Sequence, residues 1–438
     1  MHGVPELLSP HLVSLARGAL LIGPTLLVMI LLMVSRLTPR QATAAMVGGL
    51  WQLPALLLFN VAAQKLGWWH FQPDPASVLG LPVDLWIGWA LWWGPAAVLL
   101  SARLNIITVV VSMMMADAMS MPHMAPLVVL GDHWWIGEVA GVLFALLPAL
   151  VVARLTEADI KPVLRTCFHG LGWGGYMLLV LPACVLAWEG RDYIDALRSA
   201  STARWVISLA IGLPCLLIGL AAAHEFALVG RGTPIPYDPP KRVVTSGPYA
   251  SIANPMQLTS AIVMMAIAIL TASNGAWLIP LTFLIFDGIF ATWYNRAHIA
   301  MAMPDDWGKY SSAVRNWVPR RRPYIARTAT LQFPDAGRDS RILAWLMRHM
   351  EDGLTIEVMP VAPSLKRQRL IYSSSDPDLD AAGIAALGRA LEHLGGFSAL
   401  LGWTLRLPGV WHLMELVTFA IPLRRLGTRL KMGLQSSR

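Results

Sequence analysis

The stretch ALLIGPTLLVMILLMV, residues Ala19–Val34, decides the class of fold because it is apolar and carries no charged side chain. A helix needs about 20 mostly apolar residues to cross the hydrocarbon core of a bilayer. Extended to residues 16–35, this run predicts a first membrane-spanning helix. No small-residue cleavage site follows it, so we expect the helix to be retained rather than removed as a signal peptide.

The composition of the whole chain agrees with a membrane protein. Its 438 residues are 56% hydrophobic and 14% charged, with a mean hydropathy of +0.55, whereas soluble globular domains carry about 25% charged residues. These values exclude a disordered chain, a fibrous repeat and an ordinary cytosolic enzyme. The length allows roughly three domains of about 150 residues.

Eight further apolar runs are long enough to span, which predicts a mainly α, polytopic transmembrane fold of about nine helices. Only a short segment around Arg103 separates the third run from the fourth, and the last two form a hairpin that turns at Asn274-Gly275. The predicted spans are residues 16–35, 43–63, 83–101, 104–121, 134–153, 170–188, 204–224, 255–272 and 275–294.

The distribution of Lys and Arg in the short loops predicts the orientation. Loops after odd-numbered spans are basic, as at Arg36 and Arg40, whereas residues 122–133 contain no Lys or Arg. An odd number of spans then places the N-terminus outside and the C-terminus in the cytoplasm. We expect an integral protein of a bacterial-type inner or plasma membrane.

The C-terminal region is strongly basic. From residue 320 onwards it has 17 Lys and Arg against 10 Asp and Glu, a net charge of +7, while the whole chain is +8. Attraction to anionic lipid headgroups and simple positive-inside anchoring both explain this excess. No basic–aromatic motif indicates nucleic-acid binding.

Residues 325–438 predict a small cytosolic α/β domain, because their apolar residues alternate in some stretches and follow helical spacing in others. The predicted strands are Thr328–Phe333, Leu354–Val361 and Arg369–Ser373, and the predicted helices are Ser340–Met350, Asp380–Leu394, 397–406 and 410–421.

The three cysteines, Cys167, Cys184 and Cys215, lie in or beside apolar runs and have no metal-ligand spacing. We expect no disulfide, no metal site, and buried, inert thiols.

The polar segment His224–Tyr324 is the part of the chain that suggests chemistry. Gly247-Pro248 predicts a turn whose backbone can be approached closely. Asn254-Pro255 predicts a helix start whose free N–H groups can hold a carboxylate. The face of Tyr249 can stabilise a cation such as a sulfonium. From these residues alone the signal is weak, because an ordinary loop, a helix cap and an interfacial aromatic belt explain all of them without a ligand.

The stretch TSGPYASIANPMQL, residues 245–258, resembles the signature of the isoprenylcysteine carboxyl methyltransferase family, which membrane phospholipid methyltransferases share. The stretch WGKYSSAVRNWVPRRRP, residues 307–323, is similar to a second motif of that family. The resemblance covers about residues 204–324. It implies an integral-membrane enzyme that binds S-adenosylmethionine from the cytosolic side.

Carried over by motif, the resemblance implies a cofactor cradle of eight residues: Gly247, Pro248, Tyr249, Asn254, Pro255, Gln257, Asn295 and His298. The chain departs from the family at one place. The family's paired glutamates fall at Asn295 and Arg296, so both acids are lost, and His298, Asp305 or Asp306 would have to replace them.

Three residues are candidates for catalysis of methyl transfer, a displacement in which the protein mainly aligns the reactants and excludes water. His224 and Glu225 are adjacent and precede the loop, so they are candidates for a base or an orienting pair; solvated residues at the interface are the alternative. Asp287 lies within the ninth predicted span, where an acid is costly. It either lines a substrate tunnel or pairs with a donor on another helix.

Residues 1–203 form an N-terminal transmembrane domain without a motif that indicates its role. Asp84, Asp117 and Glu138 lie within or beside spans, where acids usually face a protein interior or a cavity. Tryptophans occur in pairs, as at Trp68-Trp69 and Trp92-Trp93, and an interfacial belt explains them.

The tail, residues 325–438, resembles a DCC-type thioredoxin-like domain, on Phe333–Arg338 after the first strand and on the ending HLGGFSALLGWTLRLPGVWHLMELV. That family carries a cysteine pair after its first strand, but here no cysteine follows Cys215. Thiol–disulfide chemistry is therefore excluded, and we expect a degenerate scaffold.

These observations favour methyl transfer from S-adenosylmethionine to a lipid-soluble or membrane-delivered acceptor, of the isoprenoid carboxylate or lipid headgroup class. Two alternatives remain open: an NADPH-dependent double-bond reductase of the sterol-reductase type, and a non-catalytic membrane anchor or assembly factor. The expected partners are the bilayer, the hydrophobic acceptor and anionic headgroups at the basic tail; the sequence identifies no protein partner.

Overall fold

The computed structural model of the chain describes residues 10–235, 238–326, 328–334, 356–361 and 370–420, and it is mostly helical. The predicted helix Ser340–Met350 lies outside the described residues. The chain forms two compact units. Unit 1 consists of Met1–Leu209, Ile235–Asp238 and Met264–Thr282, and unit 2 consists of Ala210–Pro234, Pro239–Val263 and Phe283–Arg438.

Helices of the apolar runs build unit 1, and their bounds agree with the predicted spans to within a few residues, except at the starts of α1 and α6, which lie six and eight residues earlier. They are α1 Pro10–Val34, α2 Pro39–Lys65, α3 Val83–Ser101, α4 Ile106–Ser120, α5 Trp134–Glu157, α6 Pro162–Trp188 and the short α7 Tyr193–Arg198. Two short hairpin pairings accompany them, β1 Trp69–Phe71 with β4 Val128–Leu130, and β2 Ser77–Val78 with β3 Leu81–Pro82.

Three helices cross the division between the units: α8 Thr202–Leu228, α9 Pro255–Thr271 and α10 Leu278–Tyr294. In the described part of the chain, seven helices are long and apolar enough to cross a membrane. They are α1, α2, α3, α4 with its extension to His123, α5, α6 and α8. These seven helices indicate an integral membrane protein. Helices α9 and α10 have 17 residues each, about 26 Å, which is slightly shorter than a bilayer core of about 30 Å.

The third and fourth predicted spans are separate helices because the sequence supplies a new start between them. Helix α3 ends at Ser101, and Asn105 accepts a hydrogen bond from the backbone N–H of Thr108 at 2.7 Å. This side-chain cap satisfies one of the free donors at the start of α4.

Helices α1 and α3 are held together by polar and by close-packing contacts. The guanidinium of Arg17 donates to both oxygens of Asp84, with Nε–Oδ2 at 2.5 Å and Nη2–Oδ1 at 2.9 Å, and also to Asp74. The hydrogen bond from Arg17 lowers the pKa of Asp74. At Gly88 the helices approach so closely that a Cβ there would lie 2.1 Å from the carbonyl oxygen of Leu20.

Replacing Gly88 by alanine is expected to lower the free energy of unfolding by about 1–3 kcal/mol, because α1 must move away to admit the methyl group. Thermal or denaturant unfolding of the purified protein in detergent measures this. Gly18→Ala on α1 is the matched control, since nothing lies within 4 Å of a Cβ at Gly18. Equal stability of the two variants would contradict the close packing.

Five aromatic side chains of unit 1 form a continuous set of contacts, here called the aromatic cluster: Phe59, Trp68, Trp69, Trp89 and Trp93. Neighbouring rings in it have centroids 5.3–6.4 Å apart. Trp69 and Trp93 are fully buried, so the interfacial belt expected for the tryptophan pairs is wrong for these two. The expectation of buried thiols is likewise wrong for Cys167, which is exposed.

Unit 2 contains the tail, which joins a mixed four-stranded sheet to short helices. The sheet order is β6-β5-β7-β8, where β5 and β6 are parallel and the other pairs are antiparallel. The elements are α11 Pro304–Ala313, β5 Ala329–Pro334, β6 Ile356–Val361, β7 Ile371–Ser374, β8 Ala381–Ala382, α12 Ile384–Glu392, α13 Gly396–Leu405 and α14 Val410–Ala420.

The core of the tail consists of the inward residues of the sheet and one face of α12. Leu331 of β5 is fully buried, and Tyr372, Ala386 and Ala390 pack around it. The three predicted strands are present, and β8 is an additional one.

Candidate functional site

The loop that follows α8 folds into a tight, buried turn at the first motif. Residues Gly247–Ala250 form a 3-10 turn, and all four are buried. Gly247 has a φ of +60°, and a Cβ there would lie 3.0 Å from Cγ of Glu225. Both the left-handed backbone and the close approach require glycine at this position.

The two motifs, about 60 residues apart in sequence, are joined by hydrogen bonds within unit 2. The hydroxyl of Tyr310 donates to the carbonyl of Tyr249 at 2.8 Å. The N–H of Tyr324 donates to the carbonyl of Ala250 at 2.7 Å, and a third bond joins the N–H of Ala253 to the carbonyl of Arg315 at 3.0 Å. The first and second motifs therefore form a single substructure.

The first motif ends at the predicted helix start. Helix α9 begins at Pro255, and the N–H of Leu258 donates to the carbonyl of Asn254 at 3.2 Å. Asn254 is 3% exposed and Pro255 is buried, while Gln257 is half-buried. The helix start predicted at Asn254-Pro255 is thus confirmed.

Tyr249 is buried in the middle of this substructure. Its ring centroid lies 6.1 Å from that of Phe226, and its hydroxyl has no hydrogen-bond partner among the described residues. Burial, with the neighbouring Tyr310 and Glu225, raises the pKa of the Tyr249 phenol well above its usual value. The group therefore stays protonated and can act as a hydrogen-bond donor, but not as a base at neutral pH.

Glu225 lies at the centre of a buried set of charged side chains, here called the Glu225 cluster. Its Oε1 accepts from Nη1 of Arg389 at 2.7 Å, and its carboxylate also accepts from Arg406 and from the hydroxyl of Ser246. Glu392 pairs with both arginines. The side chains of Glu225 and Arg389 are 1% and 3% exposed.

These contacts bear directly on the catalytic candidates. The carboxylate of Glu225 is not solvated at an interface, and it holds two arginines and a hydroxyl from the tail and the loop. His224 beside it is half-buried. Because its acceptor sites are occupied, Glu225 connects α8 to the tail rather than facing a reactant.

The other candidates lie on α10 and the turn after it. Asp287 is 8% exposed, and its Oδ2 has no hydrogen-bond partner among the described residues. His298 is exposed, with its ring centroid 5.5 Å from that of Trp293. The structure describes only the backbone of Asn295, which begins a π-helical turn, Asn295–Ile299. Among the described contacts of the Glu225 cluster and of the Gly247–Ala250 turn, Asp287 does not occur.

A small cavity lies beside the turn, between the loop and the tail. Its volume is about 60 Å³, and its lining includes Ser246, Gly247, Tyr324, Tyr372 and His393. Nε2 of His393 lies 2.9 Å from the hydroxyl of Tyr372. Burial, together with the charge of Arg389, lowers the pKa of His393 to about 4, so the imidazole is neutral at physiological pH.

The cavity does not have room for S-adenosylmethionine in this conformation. Pockets for ligands of that size measure about 300–1,000 Å³, at least about five times the volume found here. A cavity of about 60 Å³ suits a few water molecules. Buried polar groups are normally hydrogen-bonded. The Tyr249 hydroxyl, which has no partner among the described residues, therefore indicates that a polar group could bind beside the turn.

Sequence reasoning missed Arg389, Arg406 and His393, which build one side of this site. Arg389 lies on α12 within an apolar helical pattern, where a charged residue is unusual. That departure is the only signal that a sequence reader could have used, and it does not identify Glu225 as the partner.

No protein-family model, curated protein or solved structure matches the chain. The resemblance to membrane methyltransferases therefore stays an expectation from the two quoted motifs. The described fold and site define a helical integral membrane protein whose α/β tail is joined to the loop after α8.

Proposed function

We propose that residues 204–324 are the core of an S-adenosylmethionine-dependent membrane methyltransferase that acts on a lipid-soluble or membrane-delivered acceptor. The observation that carries this proposal is the joining of the two motifs by the bonds from Tyr310 and Ala253. In this proposal α9 and α10 complete nine spans, since each is only slightly short of a full span. The C-terminus lies in the cytoplasm.

In this proposal the tail moves away from the loop when the cofactor binds beside Gly247, because the cavity described there is small. The phenol hydroxyl of Tyr249 would then contact the cofactor. Asn254 would contact it at the start of α9. Glu225 would hold the closed arrangement through Arg389 and Arg406. Its role in the proposal is positioning, not proton transfer.

A non-catalytic anchor or assembly factor is a second candidate, favoured by the Glu225 cluster. Tail residues such as Tyr372 and His393 lie beside the first motif, where a cofactor would bind. The paired glutamates of the family are replaced by Asn295 and Arg296. We propose that the tail is a degenerate thioredoxin-like scaffold, which the mixed sheet β6-β5-β7-β8 supports. Its basic residues beyond the described part would meet anionic headgroups.

Calorimetric titration of the full chain in detergent with S-adenosylhomocysteine tests the proposal. Wild type is expected to bind, and Tyr249→Ala and Asn254→Ala are expected to weaken binding at least about tenfold, or about 1.4 kcal/mol each. Asn105→Ala is the matched control, because Asn105 also precedes a helix but belongs to α4. It is expected to leave binding unchanged.

Two other results would contradict the methyltransferase proposal, and a third would contradict its site assignment. Binding of NADP instead would favour the double-bond reductase. Binding of neither compound, by wild type or by a variant in which Arg389→Gln and Arg406→Gln release the tail, would favour the anchor. Equal binding by wild type, Tyr249→Ala and Asn254→Ala would refute the site assignment.

A further inference from the structure

Two acidic side chains lie inside unit 1, near the same end of its helices. Asp117 is three residues before the end of α4, and Glu138 is four residues after the start of α5. At 1.5 Å per residue, each lies about 5–6 Å from its helix end. Residues 121–133 connect these ends, so both acids lie about one helical turn from that loop.

Glu138 is buried without the partners that a carboxylate requires. It is 4% exposed, and neither of its side-chain oxygens has a hydrogen-bond partner among the described residues. Asp117 is half-buried and accepts a hydrogen bond from Nε1 of Trp93 at 2.8 Å. Trp93 contacts both helices that carry these acids, since its Nε1 bonds to Asp117 and its ring lies beside Gly141 of α5.

Rings of the aromatic cluster pack against α5 on both sides of Glu138. A Cβ at Gly137 would lie 2.4 Å from the ring of Trp69, and one at Gly141 would lie 3.0 Å from that of Trp93. Helix α5 is therefore pressed against these rings on both sides of Glu138. Trp93 contacts this helix and also bonds to Asp117, so it joins both acids to one packed region.

If both Asp117 and Glu138 were ionised inside unit 1, a nearby positive charge would be needed to stabilise them. The other titratable groups of the nearby loops and strands, His70, His123, Asp132 and His133, are exposed. On α3, Asp84 is paired with Arg17. Within the described residues, no ion pair joins Asp117 or Glu138 to a base.

We propose that Asp117 and Glu138 form a proton-binding site within the membrane part of unit 1. A buried carboxylate without a counter-charge or hydrogen bonds is far more costly than the neutral acid. Protonation of Glu138 removes that cost, while Trp93 donates its hydrogen bond to Asp117. The O–H bond forms at Glu138 when hydronium gives up its proton to leave water, and release reverses the step. The site exchanges with water beside residues 121–133 and does not depend on methyl transfer.

Infrared difference spectroscopy of the full chain in phospholipid nanodiscs, between low and high pH, tests the proposal. We expect a carbonyl band of a protonated carboxylic acid that shifts in heavy water and is lost in Glu138→Gln. Asp117→Asn is expected to change the pH at which that band titrates. The matched control Asp132→Asn, at an exposed loop acid, is expected to change neither.

Glu138→Gln is a neutral isostere of the protonated acid, so it is expected to fold, and its unfolding midpoint in detergent verifies this. A wild-type spectrum without any band that Glu138→Gln removes would overturn the proposal. So would a Glu138 band whose titration is unaffected by Asp117→Asn, because the acids would then be independent.

Discussion

Glu225→Gln is expected to lower the free energy of unfolding by about 3–5 kcal/mol, the cost of removing one member of a buried ion pair. The substitution leaves Arg389 and Arg406 with only Glu392 as counter-charge, and it weakens the bond from Ser246. Denaturant unfolding of the full chain in detergent, followed by an optical signal of the tail, measures the loss.

A variant with balanced charges separates electrostatics from packing. Glu225→Gln combined with Arg406→Met leaves Arg389 paired with Glu392, so much of the lost stability is expected to return. Asp195→Asn is the control, because its ion pair with Arg198 is exposed and is worth at most about 0.5 kcal/mol. A loss for Glu225→Gln no larger than that of Asp195→Asn would contradict the buried cluster.

Acidification is expected to destabilise unit 2 through His393. Burial and the charge of Arg389 lower its pKa from 6.5 to about 4, so the unfolded chain takes up this proton more readily than the folded one. The stabilisation is complete above pH 6.5 and is lost as the pH falls towards 4. A shift of this size corresponds to about 3 kcal/mol.

The measurement is the slope of stability against pH between about 7 and 4, compared between wild type and His393→Gln. The variant loses the hydrogen bond with Tyr372, so its absolute stability falls, but its slope is expected to flatten. His70→Gln, at an exposed histidine, is the control. Identical slopes for wild type and His393→Gln would show that His393 titrates as in the unfolded chain.

The helical part of the fold could be predicted because its causes are local. A run such as Ala19–Val34 specifies a helix through its own composition, and Asn105 and Asn254-Pro255 mark helix starts through their own side chains and backbone. The break between α3 and α4, which the apolar runs barely indicate, follows from the cap at Asn105. The strands of the tail were likewise visible in their alternation.

The candidate site could be predicted only in part, because its decisive contacts join distant residues. Glu225 is paired with Arg389, 164 residues away, and with Arg406, 181 residues away. No periodicity or spacing connects such positions. The turn at Gly247 was predicted from its dipeptide, but the reason for its glycine, the approach of Glu225, depends on the folded chain.

The Glu225 cluster also determines how the polypeptide can be divided. A protein shortened to residues 1–324 would keep the glutamate and lose both of its cationic partners, and the isolated tail would keep two arginines and lose the glutamate. Each fragment would therefore contain buried charges without their partners. The sequence alone nevertheless suggests a domain boundary at residue 325. Deletion mapping of function would therefore report misfolding at that boundary, whereas point variants that preserve charge would report the role of each half.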